Sequence, residues 1–181
     1  MFECSRYHAH HTIFRVDIED TLAIERIRAA FPAKAIDARD AFQSWGQTYL
    51  DARSYRDAIH GKSWDQLDSA YLAVRSDALG FLSTHTLVDV LPAYLRIMLE
   101  LGTASEVPGM LTLIVRAPDG EHPALGAARF SAFVEALLAQ QRGVVAATLA
   151  RFTQRFPGTL VGEAARCALL TRWGALGDQH S

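Results

Sequence analysis

Cysteine is scarce in this chain, and its scarcity excludes two classes of structure. Cys4 and Cys167 are the only cysteines among 181 residues. Two thiols so far apart in sequence provide neither a disulfide framework nor the closely spaced pairs of a cysteine zinc site. We therefore expect a core held by apolar packing, since a chain of this length buries roughly two-thirds of its unfolded surface when it folds.

Long apolar runs are absent as well. No stretch reaches the roughly eighteen consecutive apolar residues that a membrane span requires. Residues 1–20 lack the apolar core of a secretory signal, which is at least about seven residues long. We therefore expect no membrane partner and a reducing, cytoplasmic location.

An excess of either charge is also missing. Eighteen basic and twenty acidic residues leave a net charge of −2, whereas a general nucleic-acid binder carries a clear positive excess, so we expect no nucleic-acid partner. The sequence has no GxSxG, P-loop, GxGxxG or HExxH motif, so we expect no cofactor. Abundant alanine, sixteen arginines against two lysines and a lack of asparagine are typical of GC-rich coding and favour a bacterial source.

Apolar residues recur at helical spacing along most of the chain. The pattern predicts an all-α fold, an irregular single-domain bundle of about seven helices. Residues 1–20 are predicted to be an N-terminal extension and residues 21–181 the helical domain. The predicted helices cover 21–31, 53–60, 64–74, 84–101 and 159–173, with two more between 131 and 156 and a weaker one over 40–50.

Three local signals refine this prediction. Ser63 followed by Gln66 is the pattern of a capping box that starts a helix at Trp64. Pro92 lies inside the predicted 84–101 helix, which must therefore bend or break there. The segment 110–116, MLTLIVR, is rich in β-branched residues and could form a short strand, but its helical surroundings favour a helix.

Several short motifs resemble those of one family. Residues 61–67, GKSWDQL, resemble a GKxWxxL signature, and residues 80–84 with 91–95, GFLST and LPAYL, resemble an FLT and LPAYL pair. The segment from Gln141 to Trp173 is similar to the closing pattern of the same family. That family is a set of uncharacterised bacterial proteins classed as a domain of unknown function. The resemblance spans Leu22 to Trp173 and implies an all-helical domain with no assigned chemistry.

Two groups of residues are candidates for a site. His8, His10 and His11, with Cys4 nearby, could hold zinc or nickel, but the spacing offers no complete ligand set and favours an unoccupied polar segment. His85 and Asp89 are four residues apart on the predicted 84–101 helix and share a face. A carboxylate beside a histidine can orient a general base, although the pair is equally explained as helix surface.

Polar and aromatic clusters are open to the same two interpretations. The stretch from Asp51 to His60, with Arg53, Arg56 and Asp57, could contact a ligand or partner or could simply form local ion pairs. The acidic cluster Asp17, Glu19 and Asp20 could meet a basic partner or favour a helix N-terminus. The aromatic residues Trp45, Trp64, Tyr94 and Trp173 could line a pocket, but their helical spacing favours the core. We expect Trp64, Leu95 and Trp173 to be buried.

The lack of catalytic motifs favours a non-enzymatic protein-binding domain. An immunity or antitoxin-like protein is one form of such a domain, and self-association is another. A small enzyme that uses His85 and Asp89, with Arg96 brought to the same region, is the alternative.

Overall fold

The structure is a computed structural model, and it describes residues 17–43, 51–116 and 126–173. Within these ranges the chain forms eight α-helices and no strand, apart from one isolated β-bridge between Phe42 and Leu82. The helices are α1 (Ile18–Ala30), α2 (Ala52–Ile59), α3 (Ser69–Ala73), α4 (Thr84–Leu101), α5 (Val107–Val115), α6 (Ala127–Ala136), α7 (Ala139–Arg155) and α8 (Leu160–Ala168). The predicted all-α architecture is confirmed.

Helix α4 forms the centre of the bundle. It contacts α1, α3, α5, α6 and α7, and its residues from Thr86 to Leu99 are buried except for Val88. The helix continues through Pro92 as one element and ends where Gly102 adopts a positive φ of 53°. Asp89 and Arg96, both charged, are therefore carried into the interior by the most buried helix. None of the described helices is long and apolar enough to cross a membrane.

Helix α1 begins earlier than the sequence pattern indicates. Asp17, four residues before the predicted start at residue 21, is the capping residue, and its carboxylate accepts a hydrogen bond from the Glu19 backbone N–H. Asp20 is fully buried inside the first turns. The predicted boundary between residues 20 and 21 thus lies within the helix.

The predicted 64–74 helix is divided in two. Gln66 accepts a hydrogen bond from the Ser63 backbone N–H at 3.0 Å, as in a capping box, but only a 3-10 turn over Trp64–Gln66 follows. The Arg96 guanidinium donates to the carbonyl oxygens of Asp65 and Leu67, so these acceptors are satisfied outside a helix. The Asp68 carboxylate then caps α3, because it accepts hydrogen bonds from two backbone N–H groups in the first turn of that helix.

The remaining local predictions have mixed outcomes. Residues 107–115 form α5, so the helix is confirmed and the alternative of a strand near 110–116 is wrong. The polar helix predicted over 53–60 is confirmed as α2, which is followed by Gly61 at a positive φ of 73°. In the weaker predicted helix over 40–50, residues 40–43 are not helical, and residues 44–50 lie outside the described ranges.

Two helical glycines provide a matched test of this packing. A Cβ added to Gly162 in α8 would lie 2.0 Å from the Phe156 carbonyl oxygen, whereas one added to Gly143 in α7 would meet no atom within 4 Å. We expect Gly162→Ala to lower the free energy of unfolding by about 1–3 kcal/mol, because the backbone must shift. Gly143→Ala should raise it by about 0.5–1 kcal/mol through helix propensity. Urea unfolding of both variants measures the difference, and equal effects would contradict the close approach of Gly162 to the Phe156 carbonyl.

Candidate functional site

The pair predicted from sequence, His85 and Asp89, lies at one end of α4. The Asp89 side chain is only 3% exposed, whereas that of His85 is 67% exposed. His85 Nε2 is 3.6 Å from Asp89 Oδ2, which is too long for a hydrogen bond. The two residues share a face, as the spacing predicts, but the carboxylate does not hold the imidazole in one orientation.

Asp89 has a second basic neighbour that the sequence did not indicate. Lys34, in the loop after α1, places its ammonium 2.6 Å from Asp89 Oδ1. The Lys34 side chain is 62% exposed. A buried carboxylate requires a countercharge, and here that countercharge comes from a side chain that is mostly in solvent.

A cavity of about 180 Å³ opens beside this carboxylate. It is bounded by the loop after α1, by α4 and by the start of α7. Its walls are mainly apolar, and Asp89 is the anionic group among them. The lining residues are Phe31, Pro32, Lys34, Trp64, Val88, Asp89, Pro92, Leu138 and Gln141.

Polar contacts hold the walls of this cavity in place. The Trp64 indole N–H donates to the Phe31 carbonyl oxygen at 2.7 Å, and the Arg96 guanidinium lies 5.9 Å from the Trp64 ring centroid. Gln141 accepts from the Leu138 backbone N–H at 2.9 Å and donates to the Ala30 carbonyl oxygen at 3.3 Å. Arg96, which the enzyme hypothesis would bring to the region of His85 and Asp89, instead donates to the Asp65 and Leu67 carbonyl oxygens and to Ser69 Oγ.

This arrangement suits a cation on an apolar stem. The carboxylate can accept charge-assisted hydrogen bonds from an ammonium or guanidinium group. The apolar walls can cover a methylene chain, and an indole wall favours a nearby positive charge. The cavity, which we call the Asp89 pocket, therefore has the chemistry to receive a lysine-like or arginine-like group.

The acidic cluster at the start of α1 is used inside the fold. Arg151 of α7 binds Asp17, Glu19 and Asp20, with Nη2 at 2.6 Å from Asp17 Oδ2 and Nε at 2.8 Å from Asp20 Oδ1. The hydrogen bond from Arg151 lowers the pKa of the Asp17 carboxyl. These ion pairs connect α1 to α7. Because the three carboxylates already bind Arg151, they no longer support the interpretation as a free acidic patch for a basic partner.

The other predicted residues fall into two groups. Trp64, Leu95 and Trp173 are buried, as predicted. His8, His10, His11, Cys4 and Trp45 lie outside the described residues. Within the described ranges, no three histidine, cysteine, aspartate or glutamate side chains are grouped so that they could hold a metal ion.

Sequence reasoning missed Lys34 and Leu138. Lys34 is 55 positions from Asp89, and neither residue belongs to a recognisable motif. Leu138 is 68% exposed, although it lines the Asp89 pocket. Only the packing of α1 and α7 against α4 brings them together.

Comparison with known proteins finds no relative of this chain. No family model, curated protein or solved structure matches the chain. Membership of the bacterial family that the motifs resemble therefore stays a prediction.

Proposed function

We propose that the chain is a non-enzymatic protein-binding domain whose Asp89 pocket receives a lysine or arginine side chain of a partner. The observation that supports this proposal is the Asp89 carboxylate, which is 3% exposed beside an apolar cavity and paired with a mostly exposed lysine. A partner with a basic surface, such as a cationic toxin, would make the chain an immunity or antitoxin-like protein.

Lys34 makes such binding an exchange of cations. When a partner's ammonium or guanidinium group enters, it takes the place of the Lys34 ammonium, and Asp89 keeps a countercharge throughout. The displaced Lys34 side chain regains full hydration, which costs little because most of it is already exposed. Lys34 thus competes with the ligand, whereas Asp89 attracts it.

This competition predicts opposite effects for the two members of one ion pair. Asp89→Asn should weaken binding of a lysine derivative at least about tenfold, because a charge-assisted contact contributes about 1.5–3 kcal/mol. Lys34→Met should strengthen binding several-fold, since no internal cation then competes. Nα-acetyl-lysine methylamide is the probe, and its norleucine counterpart is the uncharged control. The indole N–H resonance of Trp64, assigned with Trp64→Phe, reports occupancy of the pocket.

Two results would contradict the proposal. The norleucine probe could bind as well as the lysine probe, or Lys34→Met could weaken binding as much as Asp89→Asn. Circular dichroism of each variant verifies that it is folded. His85→Ala is the matched control, and it should leave binding of the probe unchanged because His85 makes no hydrogen bond to Asp89.

The alternative of a small enzyme rests on the 3.6 Å approach of His85 to Asp89. In that mechanism Asp89 would orient His85 as a general base. A folded His85→Ala variant that binds its natural partner normally but loses the cellular phenotype would favour the enzyme.

A further inference from the structure

A second, separate cavity lies over one face of α2. It has a volume of about 560 Å³ and is lined by Ala38, Arg39, Arg53, Arg56, Asp57 and His60. Arg53, Arg56 and His60 are spaced three and four residues apart, so they project from the same side of the helix. The cavity is separate from the Asp89 pocket in the sense that the two share no lining residue.

The arginines of this face are not used in local ion pairs. The spacing predicts that Arg53 pairs with Asp57 and that Arg56 contacts His60, but no hydrogen bond or ion pair joins either pair of these described residues. Among the described residues, Arg53 and Arg56 have no hydrogen-bond or ion-pair partner. Arg39 differs, because its guanidinium binds Asp37 through Nε at 2.9 Å, and this contact lowers the pKa of the Asp37 carboxyl.

The orientation of His60 adds a third donor. Its Nδ1 accepts a hydrogen bond from the Ala38 backbone N–H at 3.2 Å. The neutral imidazole therefore carries its proton on Nε2, so this nitrogen is the donor that remains available to a ligand. The segment around His60 is held in place by two backbone hydrogen bonds. The Ile36 N–H donates to the Lys62 carbonyl oxygen, and the Gly61 N–H donates to the Ile36 carbonyl oxygen, each at 2.9 Å.

We infer that this cavity binds the phosphate group of a small organic phosphate monoester. Two guanidinium groups and one imidazole N–H match the three terminal oxygens of a phosphate monoester better than the two oxygens of a carboxylate. The cavity is larger than a bare phosphate ion, so it leaves space for an attached organic group. Asp57, which also lines the cavity, can accept a hydrogen bond from a hydroxyl group of that organic part.

Calorimetric titration with glycerol 3-phosphate tests this inference, and inorganic phosphate, acetate and glycerol serve as comparison ligands. We expect glycerol 3-phosphate to bind more tightly than inorganic phosphate and much more tightly than acetate, with no binding of glycerol. The double variant Arg53→Gln, Arg56→Gln should weaken binding at least about tenfold, because it removes two charge-assisted contacts. Both side chains lie at the surface of α2, so the variant should fold.

A matched control and a third variant sharpen the test. Arg28→Gln removes an exposed arginine from α1 and should leave binding unchanged. His60→Phe removes the third donor and should weaken binding several-fold. The inference is overturned if no ligand binds at about 10 mM, if the double variant binds as wild type does, or if acetate binds as tightly as the phosphates. Tighter binding of a phosphoserine peptide than of glycerol 3-phosphate would overturn the assignment to a small molecule.

Discussion

Trp173→Ala should lower the free energy of unfolding by about 3–5 kcal/mol. The Trp173 side chain is fully buried, and its ring packs edge-on against Phe133 with the centroids 6.4 Å apart. Its indole N–H donates to the Val115 carbonyl oxygen at 2.6 Å. The substitution removes a large apolar group and also leaves a buried carbonyl without its donor. Urea unfolding followed by circular dichroism measures the loss.

Two further variants separate these contributions. Trp173→Phe keeps an aromatic ring but removes the donor, and it should cost less than alanine. Leu170→Ala changes a neighbouring side chain that is 70% exposed, so its effect should stay within about 0.5 kcal/mol. A loss below about 1 kcal/mol for Trp173→Ala would contradict its place in the core.

Asp20→Ala should also lower the free energy of unfolding by about 3–5 kcal/mol. Asp20 is fully buried, with Arg151 Nε at 2.8 Å from one carboxylate oxygen and Arg155 Nη1 at 2.7 Å from the other. Both guanidinium groups are mostly buried, so removal of the carboxylate leaves positive charge without its compensation. Arg151 keeps Asp17 and Glu19, whereas Arg155 loses its carboxylate partner.

Thermal or urea unfolding of matched variants tests the role of burial. Glu25→Ala breaks an exposed ion pair with Arg28 on the same helix and should change stability by less than about 1 kcal/mol. Asp20→Asn keeps the volume of the side chain and isolates the effect of its charge. Similar small losses for Asp20→Ala and Glu25→Ala would show that the contact between α1 and α7 does not depend on the buried carboxylate.

Sequence patterns predicted correctly those helices whose ends are set by neighbouring residues. The helix from Thr84 to Leu101 has the predicted bounds, because Ser83 caps it and Gly102 ends it. The predicted helix at Trp64 failed for a reason that no local pattern contains. Arg96, about thirty positions later in the chain, donates to the carbonyl oxygens of Asp65 and Leu67 at the point where the backbone of Leu67 is extended.

The candidate site was predicted only in part. The spacing of His85 and Asp89 on one helix indicated their shared face, and the dense polar stretch of α2 indicated Arg53, Arg56 and His60. The sequence did not distinguish Asp89, which is buried, from His85, which is exposed. Nor did it show that Arg53 and Arg56 avoid the local partners that their spacing offers.

The sequence by itself determined the all-α class, the approximate positions of most helices and the apolar faces, because helical periodicity and capping residues act within a few positions. The tertiary structure alone decided what each charged group does. It buried Asp20 at the start of α1 against Arg151, and it placed Lys34 against Asp89 beside an apolar cavity. The physical reason is that the interaction of a charge depends on its burial and its neighbours in space, and both arise only when distant helices pack together.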